Sequence, residues 1–384
     1  MSNYKLYDVV IIGAGAAGLM AAAVAHEIGH KVAVLDMGAT PARKVMNSGG
    51  GRCNFTNAAA NFNTYFSKSP RFVCSALSRV SPDDMLAWAS KHGITLEEKT
   101  PGRFFCTNGA QDVVNGLMQD VSGVDLFFDR LVQDIRKQND VFYVENFAAK
   151  KLIVATGGIS FGALGVSDIG YKIAKQFGHT IVPVRPALCA LKIANMLHDL
   201  SGISLDVEIT IAGKKIMDSL LFTHFGIGGP AAYRASLYGI ENGISINFAP
   251  TKNVFEILKK AKSISGTKSV YKVLSDFLPI RVAKWLSGAN TMNIADIKDS
   301  ELRKISDNVS KYFISGDCIK YHGLSSAEVT MGGVSTSEIS SKTMESKLCP
   351  GLFFAGEIID VTGDLGGFNL QWAWSSGRVA GMDL

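Results

Sequence analysis

The order of apolar and polar residues at the start of the chain predicts a parallel α/β arrangement. Residues 7–12 form an apolar, β-branched run that predicts a buried strand, and residues 31–35 predict a second strand. The small apolar residues 16–28 between them predict a helix that ends near Gly29. A strand, a helix and a second strand in this order make a βαβ crossover, which is almost always right-handed.

Strand and helix patterns of this kind occur on both sides of a middle region whose hydrophobic pattern is different. Residues 186–250 contain short alternating segments that predict strands, and residues 251–312 have the spacing of helices. After about residue 325 the glycine-rich α/β pattern returns. Outside the middle region, we predict strands within 124–147, at 151–155 and at 352–355, and helices at 70–79, 81–91, 170–177 and from Gly367 onward.

These patterns predict a discontinuous domain organisation. An α/β domain is formed by residues 1–187 plus 323–384. Between its two parts lie a β-rich insert over residues 188–250 and a small helical insert over residues 251–322.

The composition is that of a globular protein. The 384 residues are enough for two or three domains, and the 47% of hydrophobic and 19% of charged residues exclude a disordered chain. The net charge of +5 is mild and is not concentrated in blocks of like charge. We therefore expect an ordinary solvated surface and no nucleic-acid partner, with a bound anionic cofactor using part of the excess.

The six cysteines have no CxxC spacing, and no Cys/His cluster has the spacing of a zinc site. This usage indicates a reducing compartment, no disulfide framework and no metal. Residues 9–25 are apolar, but Asp8 precedes them, the stretch is short for a membrane span and it carries a glycine pattern. We expect a soluble cytoplasmic protein with no membrane partner.

That glycine pattern is Gly13-x-Gly15-x-x-Gly18, placed after the first strand. Gly13 allows a tight turn, Gly15 lets backbone approach a pyrophosphate, and Gly18 lets helix and strand pack closely. The helix N-terminus adds free N–H groups and the positive end of its dipole. Asp36 stands at the end of the second strand, where a carboxylate accepts ribose hydroxyls. The combination predicts dinucleotide binding.

Three later segments favour FAD over NAD as the dinucleotide. Residues 43–54 carry glycines and cations that suit the pyrophosphate and ribityl parts of a longer cofactor, and strand 151–155 ends in a Thr-Gly-Gly turn. The third segment is the Ala-Gly-Glu sequence at 355–357, typical of flavoproteins that hold a ribityl chain beside a helix start. The first two segments add these predicted cofactor-binding residues: Gly50, Gly51, Arg52, Cys53, Ala155, Thr156 and Gly157.

The longer motifs resemble those of a bacterial family of FAD-binding proteins, the aminoacetone oxidase family or BaiN/RdsA-type NAD(P)/FAD-dependent oxidoreductases. Matching stretches span nearly the whole chain, and two segments depart from the family pattern: residues 165–171, where the acid is shifted to Asp168, and residues 104–106, which end in Cys106. The specific stretches are GGGRCNFTN (49–57), FTHFGIGGP (222–230), TMESK (343–347) and GGFNLQWAWSSG (366–377).

The resemblance implies an α/β fold with an FAD-binding Rossmann-like domain of the two-dinucleotide type, interrupted by β-rich and helical inserts. It also implies three groups of FAD contacts. These are the phosphates and ribose near Gly13, Gly15, Ala16, Ala17, Gly18, Asp36, Lys44 and Arg52, the adenine near the backbone of Val132, and the ribityl chain and ring near Gly356, Glu357, Asn369 and Leu370.

Two side chains are candidates for catalysis beside a flavin. Cys53 is either a reactive thiol or a small packing residue, and no second cysteine is near it in sequence to make a dithiol relay. His224 is either a proton donor that titrates near neutral pH or a structural histidine.

We expect an FAD-dependent oxidoreductase that transfers hydride through flavin N5 to or from a small organic substrate. No second βαβ unit with a GxGxxG pattern is found, so NAD(P)H would bind only transiently as the donor. The resemblance implies an activated alkene or a ketone-conjugated compound as a possible acceptor. Two alternatives stay open: an oxidase that passes electrons to oxygen, and a flavoprotein with structural FAD that binds RNA or a protein through a basic stripe on residues 252–284.

Overall fold

The structure of the protein is a computed structural model that describes residues 4–194, 198–264, 266–288 and 291–384. The chain divides into two compact units. We call them the split unit, formed by Met1–Arg185 and Glu328–Leu384, and the inserted unit, formed by Pro186–Ala327. No helix in the described ranges is both long and apolar enough to cross a membrane.

The split unit contains a mixed sheet, three small sheets and seven α-helices within the described residues. Its strands are β1 (Lys5–Ile12), β2 (Val32–Leu35), β3 (Asn54–Asn57), β4 (Tyr65–Phe66), β5 (Leu96–Thr100), β6 (Arg103–Cys106), β7 (Asp125–Phe127), β8 (Ile135–Gln138), β9 (Val141–Val144), β10 (Phe147–Val154), β11 (Ile181–Ala187), β19 (Val329–Val334), β20 (Leu352–Phe354) and β21 (Thr362–Gly363). Its helices are α1 (Ala16–Glu27), α2 (Arg43–Asn47), α3 (Val73–Arg79), α4 (Pro82–Lys91), α5 (Gln111–Asp120), α6 (Ile169–Gln176) and α12 (Phe368–Met382).

The main sheet has the order β7-β2-β1-β10-β9-β8, and β20 pairs with the second half of β10. Strands β7, β2, β1, β10 and β20 run parallel, so their carboxyl ends meet at one edge. Strand β2 and the second halves of β1 and β10 are rich in aliphatic residues and mostly buried, as parallel strands covered by helices on both faces are. The predicted Rossmann-type α/β fold is confirmed.

Helix α12 returns the end of the chain to this sheet and packs against α1. A Cβ added to Gly377 would lie 2.3 Å from the carbonyl oxygen of Ala17, and one on Gly381 would lie 2.5 Å from that of Ala21. Glycine at these positions therefore allows backbone contact between the two helices. The buried Trp374 indole of α12 donates to the carbonyl of Phe55 at 2.9 Å, which joins the helix to β3.

The inserted unit combines an antiparallel sheet with helices around one core. The sheet order is β17-β16-β13-β14-β15-β12-β18, and the core takes Val207 and Ile246 from strands and Leu258 and Leu302 from helices. The β-rich and helical segments thus share one hydrophobic core. The elements are β12 (Leu191–Ile193), β13 (Ser204–Ile211), β14 (Lys214–Thr223), β15 (Gly226–Gly228), β16 (Ile244–Asn247), β17 (Tyr312–Ile314) and β18 (Ile319–Tyr321), with α7 (Gly229–Ala235), α8 (Val254–Ile264), α9 (Val270–Leu274), α10 (Ile280–Leu286) and α11 (Asp299–Ser310).

Residues 43–57, which the glycine content predicts as one long turn, contain regular structure. They form α2, a short 3₁₀ turn over Ser48–Gly51, and β3, which pairs with β6. The turn itself needs glycine, because Gly49, Gly50 and Gly51 have φ angles of 58°, 65° and 84°. The sequence pattern identified the bend but not the elements on either side.

Candidate cofactor site

The turn between β1 and α1 is the first part of the site, at the carboxyl edge of the parallel sheet. A Cβ on Gly13 would lie 2.3 Å from the carbonyl oxygen of Ala155, and one on Gly18 would lie 1.8 Å from that of Gly13. These two glycines therefore allow close packing. Gly15 differs, since no atom lies within 4 Å of its added Cβ.

The start of α1 is open to a ligand. Gly15 occupies the N-cap position without a side-chain cap, and no acidic residue lies in the first turn. Ala16 and Ala17 follow it with side chains too small to cover the helix end. Free N–H groups and the positive helix dipole there form a favourable environment for an anion.

Asp36 braces this turn from the end of β2. Its carboxylate accepts hydrogen bonds from the backbone N–H of Ala14 and of Gly38, both at 2.7 Å. Arg43 completes the cluster with its guanidinium 3.2 Å from Asp36 Oδ1, and it also donates to the carbonyl of Leu164. Asp36, the predicted ribose acceptor, thus also stabilises the turn between β1 and α1. Its position at the end of a strand did not predict this second role.

Val132, predicted near the adenine, lies in the segment between β7 and β8 and is buried. Backbone hydrogen bonds place that segment beside the end of β2. The N–H of Asp129 donates to the carbonyl of Gly38 at 3.1 Å, and that of Arg130 donates to the carbonyl of Asp36 at 2.9 Å. The structure therefore brings this segment and Asp36 together.

Lys44 lies in α2, and its ammonium group forms an ion pair with Glu357 rather than remaining free. Its Nζ is 2.9 Å from Glu357 Oε2 and 2.9 Å from Ser160 Oγ. The other carboxylate oxygen of Glu357 accepts from the N–H of Thr330 at 2.7 Å and from Ser160 Oγ at 3.1 Å. Sequence reasoning missed Ser160 and Thr330, because neither belongs to a recognisable motif.

The contacts of Glu357 with Lys44, Ser160 and Thr330 favour its charged form. Burial opposes its ionisation, but the Lys44 ammonium and the hydrogen bonds from Lys44, Thr330 and Ser160 together hold its pKa below the ordinary value. The carboxylate is therefore a fixed negative charge directly after β20, at the same sheet edge as Gly13.

The turn that follows β10 supplies Ala155, Thr156 and Gly157. Gly157 has a φ of 72°, and the buried Thr156 Oγ1 has no hydrogen-bond partner among the described residues. The nearby phenol of Tyr171 is likewise buried without a partner there, and burial followed by the charge of Glu357 raises its pKa. Buried polar atoms of this kind ordinarily have partners, so these two hydroxyls offer bonds to a bound group or to water.

The segment after β20 positions Gly356 and the start of α12. The N–H of Gly356 donates to Ser376 Oγ at 2.9 Å, and its carbonyl accepts from the Trp372 indole at 3.1 Å. Asn369 uses its amide within the loop, accepting from the N–H of Gly363 at 2.8 Å. Its neighbour Leu370 is half-buried.

The predicted loop residues Gly50, Gly51 and Arg52 are exposed. Nothing lies within 4 Å of a Cβ added to Gly50 or Gly51. The Arg52 side chain has neither a hydrogen bond nor an ion pair to the described residues, so it is available to an anion.

Cys53 has a thiol neighbour that the sequence spacing concealed. It is fully buried with a φ of 49°, and β6 places Cys106 beside it, with the N–H of Cys106 donating to the carbonyl of Arg52 at 2.8 Å. The neighbouring Cys106 thiol, followed by burial, raises the pKa of Cys53 well above its usual value. Cys53 is therefore a protonated thiol and not a thiolate nucleophile.

His224 belongs to the inserted unit, in the two-residue turn between β14 and β15, and is exposed. Its ring contacts Phe225, with the ring centres 4.8 Å apart, and Phe225 stacks on His322 at 4.1 Å. Burial, followed by the charges of Lys192 and His224, lowers the pKa of His322. The structure thus groups two histidines around one phenylalanine.

The arrangement in the split unit fits a dinucleotide. The open α1 N-terminus and the uncovered Gly15 suit a pyrophosphate, Asp36 suits a ribose, and the unpartnered Thr156 hydroxyl suits a polar chain. Among the described residues, no group of three or more His, Cys, Asp or Glu side chains is arranged to hold a metal ion.

Comparison with known proteins agrees with this geometry. A family described as HI0933-like protein Rossmann domain matches residues 7–383. Ribosomal RNA dihydrouridine synthases from Escherichia coli strain K12 and Haemophilus influenzae are 37% and 39% identical, with alignments covering 98% and 100% of this chain and 98% and 99% of theirs. A 3-dehydro-bile acid delta(4,6)-reductase from Clostridium scindens is 27% identical over 97% of each chain.

Among solved structures, the Mycobacterium smegmatis Sdh1 complex in the apo form has a TM-score of 0.50 and 17% identity, covering 98% of this chain and 67% of its own. At this identity the likeness shows the fold alone. The family match and the fold support an oxidoreductase with FAD as its cofactor. The match covers nearly the full chain, and the protein belongs to the HI0933-like family.

Proposed function

We propose that the chain is an FAD-dependent reductase that saturates a carbon–carbon double bond conjugated to a carbonyl group, and that its substrate is a uracil base in ribosomal RNA. The names of three relatives support the reaction class, since dihydrouridine is uridine with a reduced double bond and a delta(4,6)-reductase is named for the double bonds that it reduces. The higher identity to the two synthases favours uracil. This substrate departs from the small organic molecule expected for a flavin oxidoreductase, and from the expectation of no nucleic-acid partner that rested on the mild net charge.

The observation that carries the proposal is the uncapped N-terminus of α1 beside Asp36. Its N–H groups would bind the pyrophosphate of FAD, and Arg52 would add a cation for the cofactor's phosphates. Asp36 would accept the ribose hydroxyls, exchanging its contact with Arg43 for them. Gly356 and the backbone after β10 would lie along the ribityl chain.

When bound and reduced by the donor, FAD would supply the hydride that adds to the electron-poor carbon of the substrate. The protein must deliver a proton to the neighbouring carbon. We propose Cys53 or His224 for this step. Cys53 keeps its proton at neutral pH, because its thiol pKa is raised, whereas His224 is exposed on the inserted unit.

We further propose NAD(P)H as the reductant, binding only transiently. The sequence contains one GxGxxG pattern in a βαβ setting, and the open Gly15 there belongs to the FAD site. A second nucleotide therefore has no Rossmann motif of its own to occupy.

The test incubates the FAD-loaded protein anaerobically with NADH or NADPH and with ribosomal RNA from cells that lack the gene. Nucleoside mass spectrometry then measures dihydrouridine, and the visible spectrum follows the flavin. We expect bleaching by one nucleotide and dihydrouridine in equal amount to the nucleotide oxidised. Bleaching without dihydrouridine, followed by oxygen consumption when air is admitted, would show an oxidase. Flavin that no nicotinamide bleaches would contradict the proposed donor.

A further inference from the structure

The net charge of the chain resides in the inserted unit. Residues 186–327 contain 17 Lys and Arg residues against 12 Asp and Glu residues, which accounts for the whole charge of +5. The split unit contains 22 of each and is neutral. The mild average over the whole sequence therefore hides the difference between a basic unit and a neutral unit.

The excess is concentrated in the helical part of the inserted unit. Residues 252–284 hold eight basic side chains and only two acidic ones, Glu256 and Asp276. Two of the eight, Lys259 and Lys262, form ion pairs with Asp299. Five others are exposed and have no carboxylate partner among the described residues; we call them the lysine surface: Lys252, Lys260, Lys268, Lys272 and Lys284.

Aromatic rings fix two of these lysines. The ammonium of Lys252, just before α8, lies 5.5 Å from the centre of the Phe277 ring, which follows α9. That of Lys284 on α10 lies 5.4 Å from the ring of Tyr271 on α9. Both side chains pack over half-buried rings while their ammonium groups stay at the surface. Part of the conformational entropy that these side chains would lose on binding a ligand is therefore already lost in the free protein.

We propose that the lysine surface binds the phosphate backbone of the RNA substrate. The proposal rests on the proposed function and assigns the holding of RNA to the inserted unit. Ammonium groups without carboxylate partners gain from phosphate contacts through the release of counterions, whatever the base sequence. Phosphate contacts position a nucleic acid but do not specify it, which suits a surface of lysines without bidentate donors.

The test compares two triple variants of the full, FAD-loaded chain. The first is Lys260→Gln, Lys268→Gln and Lys272→Gln in the lysine surface. The matched control, with the same charge change on exposed lysines of the split unit, is Lys91→Gln, Lys175→Gln and Lys342→Gln. Fluorescence anisotropy of a labelled ribosomal RNA fragment gives the dissociation constant between roughly 50 and 200 mM salt.

We expect the first variant to bind RNA at least about tenfold more weakly at the low-salt end and to lower the salt slope by about 2 to 3, because each lost phosphate contact removes a little under one unit of slope. The control should bind like the parent. Flavin bleaching by the nicotinamide should be unchanged in both variants. Equal slopes for the two variants would overturn the proposal, as would binding of the parent to phosphatidylserine vesicles or to an acidic protein in preference to RNA.

Dihydrouridine formation separates this proposal from the proposed function. If the parent binds RNA through these lysines but forms no dihydrouridine, the lysine surface stands and the proposed reaction fails. If the parent forms dihydrouridine and the first variant does so with an unchanged KM for RNA, the reaction stands and the lysine surface fails.

Discussion

Lys44 and Glu357 are 313 positions apart in the sequence, yet Lys44 Nζ lies 2.9 Å from Glu357 Oε2. The pair joins α2 to the short turn Gly356–Ile358 after β20, so it connects the two chain segments of the split unit. With 29% and 19% of their side chains exposed, both groups are mostly withdrawn from water. Replacing only one residue of such a pair lowers the free energy of unfolding, because the remaining charge loses its partner.

We predict that Lys44→Met lowers the free energy of unfolding by about 1 to 3 kcal/mol. Glu357→Gln should cost less, since an amide oxygen still accepts from Thr330. Urea unfolding of the FAD-free protein measures both. Their double-mutant cycle should show a coupling of about 1 kcal/mol or more, and additive effects would contradict a direct interaction.

Asp36→Asn should weaken FAD retention by about tenfold or more while the protein stays folded, because the carboxylate is needed both for the ribose and for the N–H groups of Ala14 and Gly38. Flavin fluorescence titration gives the affinity, and circular dichroism reports the fold. Asp8→Asn is the matched control, since Asp8 also accepts a backbone N–H, that of Lys31, but at an exposed position. Similar FAD affinities for the two variants would contradict the role of Asp36.

Alanine at Gly18 should lower the stability of the protein, whereas alanine at Gly15 should lower its affinity for FAD. Gly18→Ala places a Cβ 1.8 Å from the Gly13 carbonyl oxygen and should destabilise the protein by about 3 kcal/mol. Gly15→Ala meets open space at a φ of −84°, so stability should change by less than about 1 kcal/mol. That methyl group would instead occupy the approach to the helix end, and FAD affinity should fall. Normal FAD binding by Gly15→Ala would show that the pyrophosphate lies elsewhere.

The six thiols should divide into fast and slow groups toward an aromatic disulfide reagent. Cys74 and Cys318 are exposed and should react within the mixing time of the native protein, whereas the four buried cysteines should react only on unfolding. Cys53→Ser should leave the fast count unchanged, and Cys74→Ser should reduce it by one. Rapid labelling of Cys53 in the parent would overturn its description as a protonated, buried thiol.

The buried ring of His179 should make the protein less stable at acidic pH. Burial lowers its pKa, partly offset by Glu338, so the folded state favours the neutral ring. The stability that the neutral His179 ring contributes is fully present above the unfolded pKa of about 6.5. It is lost as pH falls through the lower folded pKa. The melting temperature of the parent should therefore fall between pH 7 and 5 more steeply than that of His179→Gln. The exposed His26→Gln should keep the steep dependence of the parent.

Local sequence patterns predicted the first half of the site and not its long-range contacts. Gly13, Gly18 and Asp36 follow from the strand, helix, strand order, because the residues that meet there are close in sequence or end adjacent parallel strands. Ser160 and Cys106 were not predicted, since their partners Glu357 and Cys53 lie in distant segments and neither carries a motif. The concentration of charge was also missed, because averaging over 384 residues removes it.

The close contact between α1 and α12 has a consequence for biosynthesis. The backbone of Ala17 meets that of Gly377, so during synthesis α1 lacks its neighbour until α12 has left the ribosome. Until then β10 also lacks β20, and Lys44 has no Glu357 to hold. We therefore expect the nascent chain to bind FAD only after α12 has emerged, and a truncation before α12 to be a target for chaperones and proteases however well the inserted unit folds.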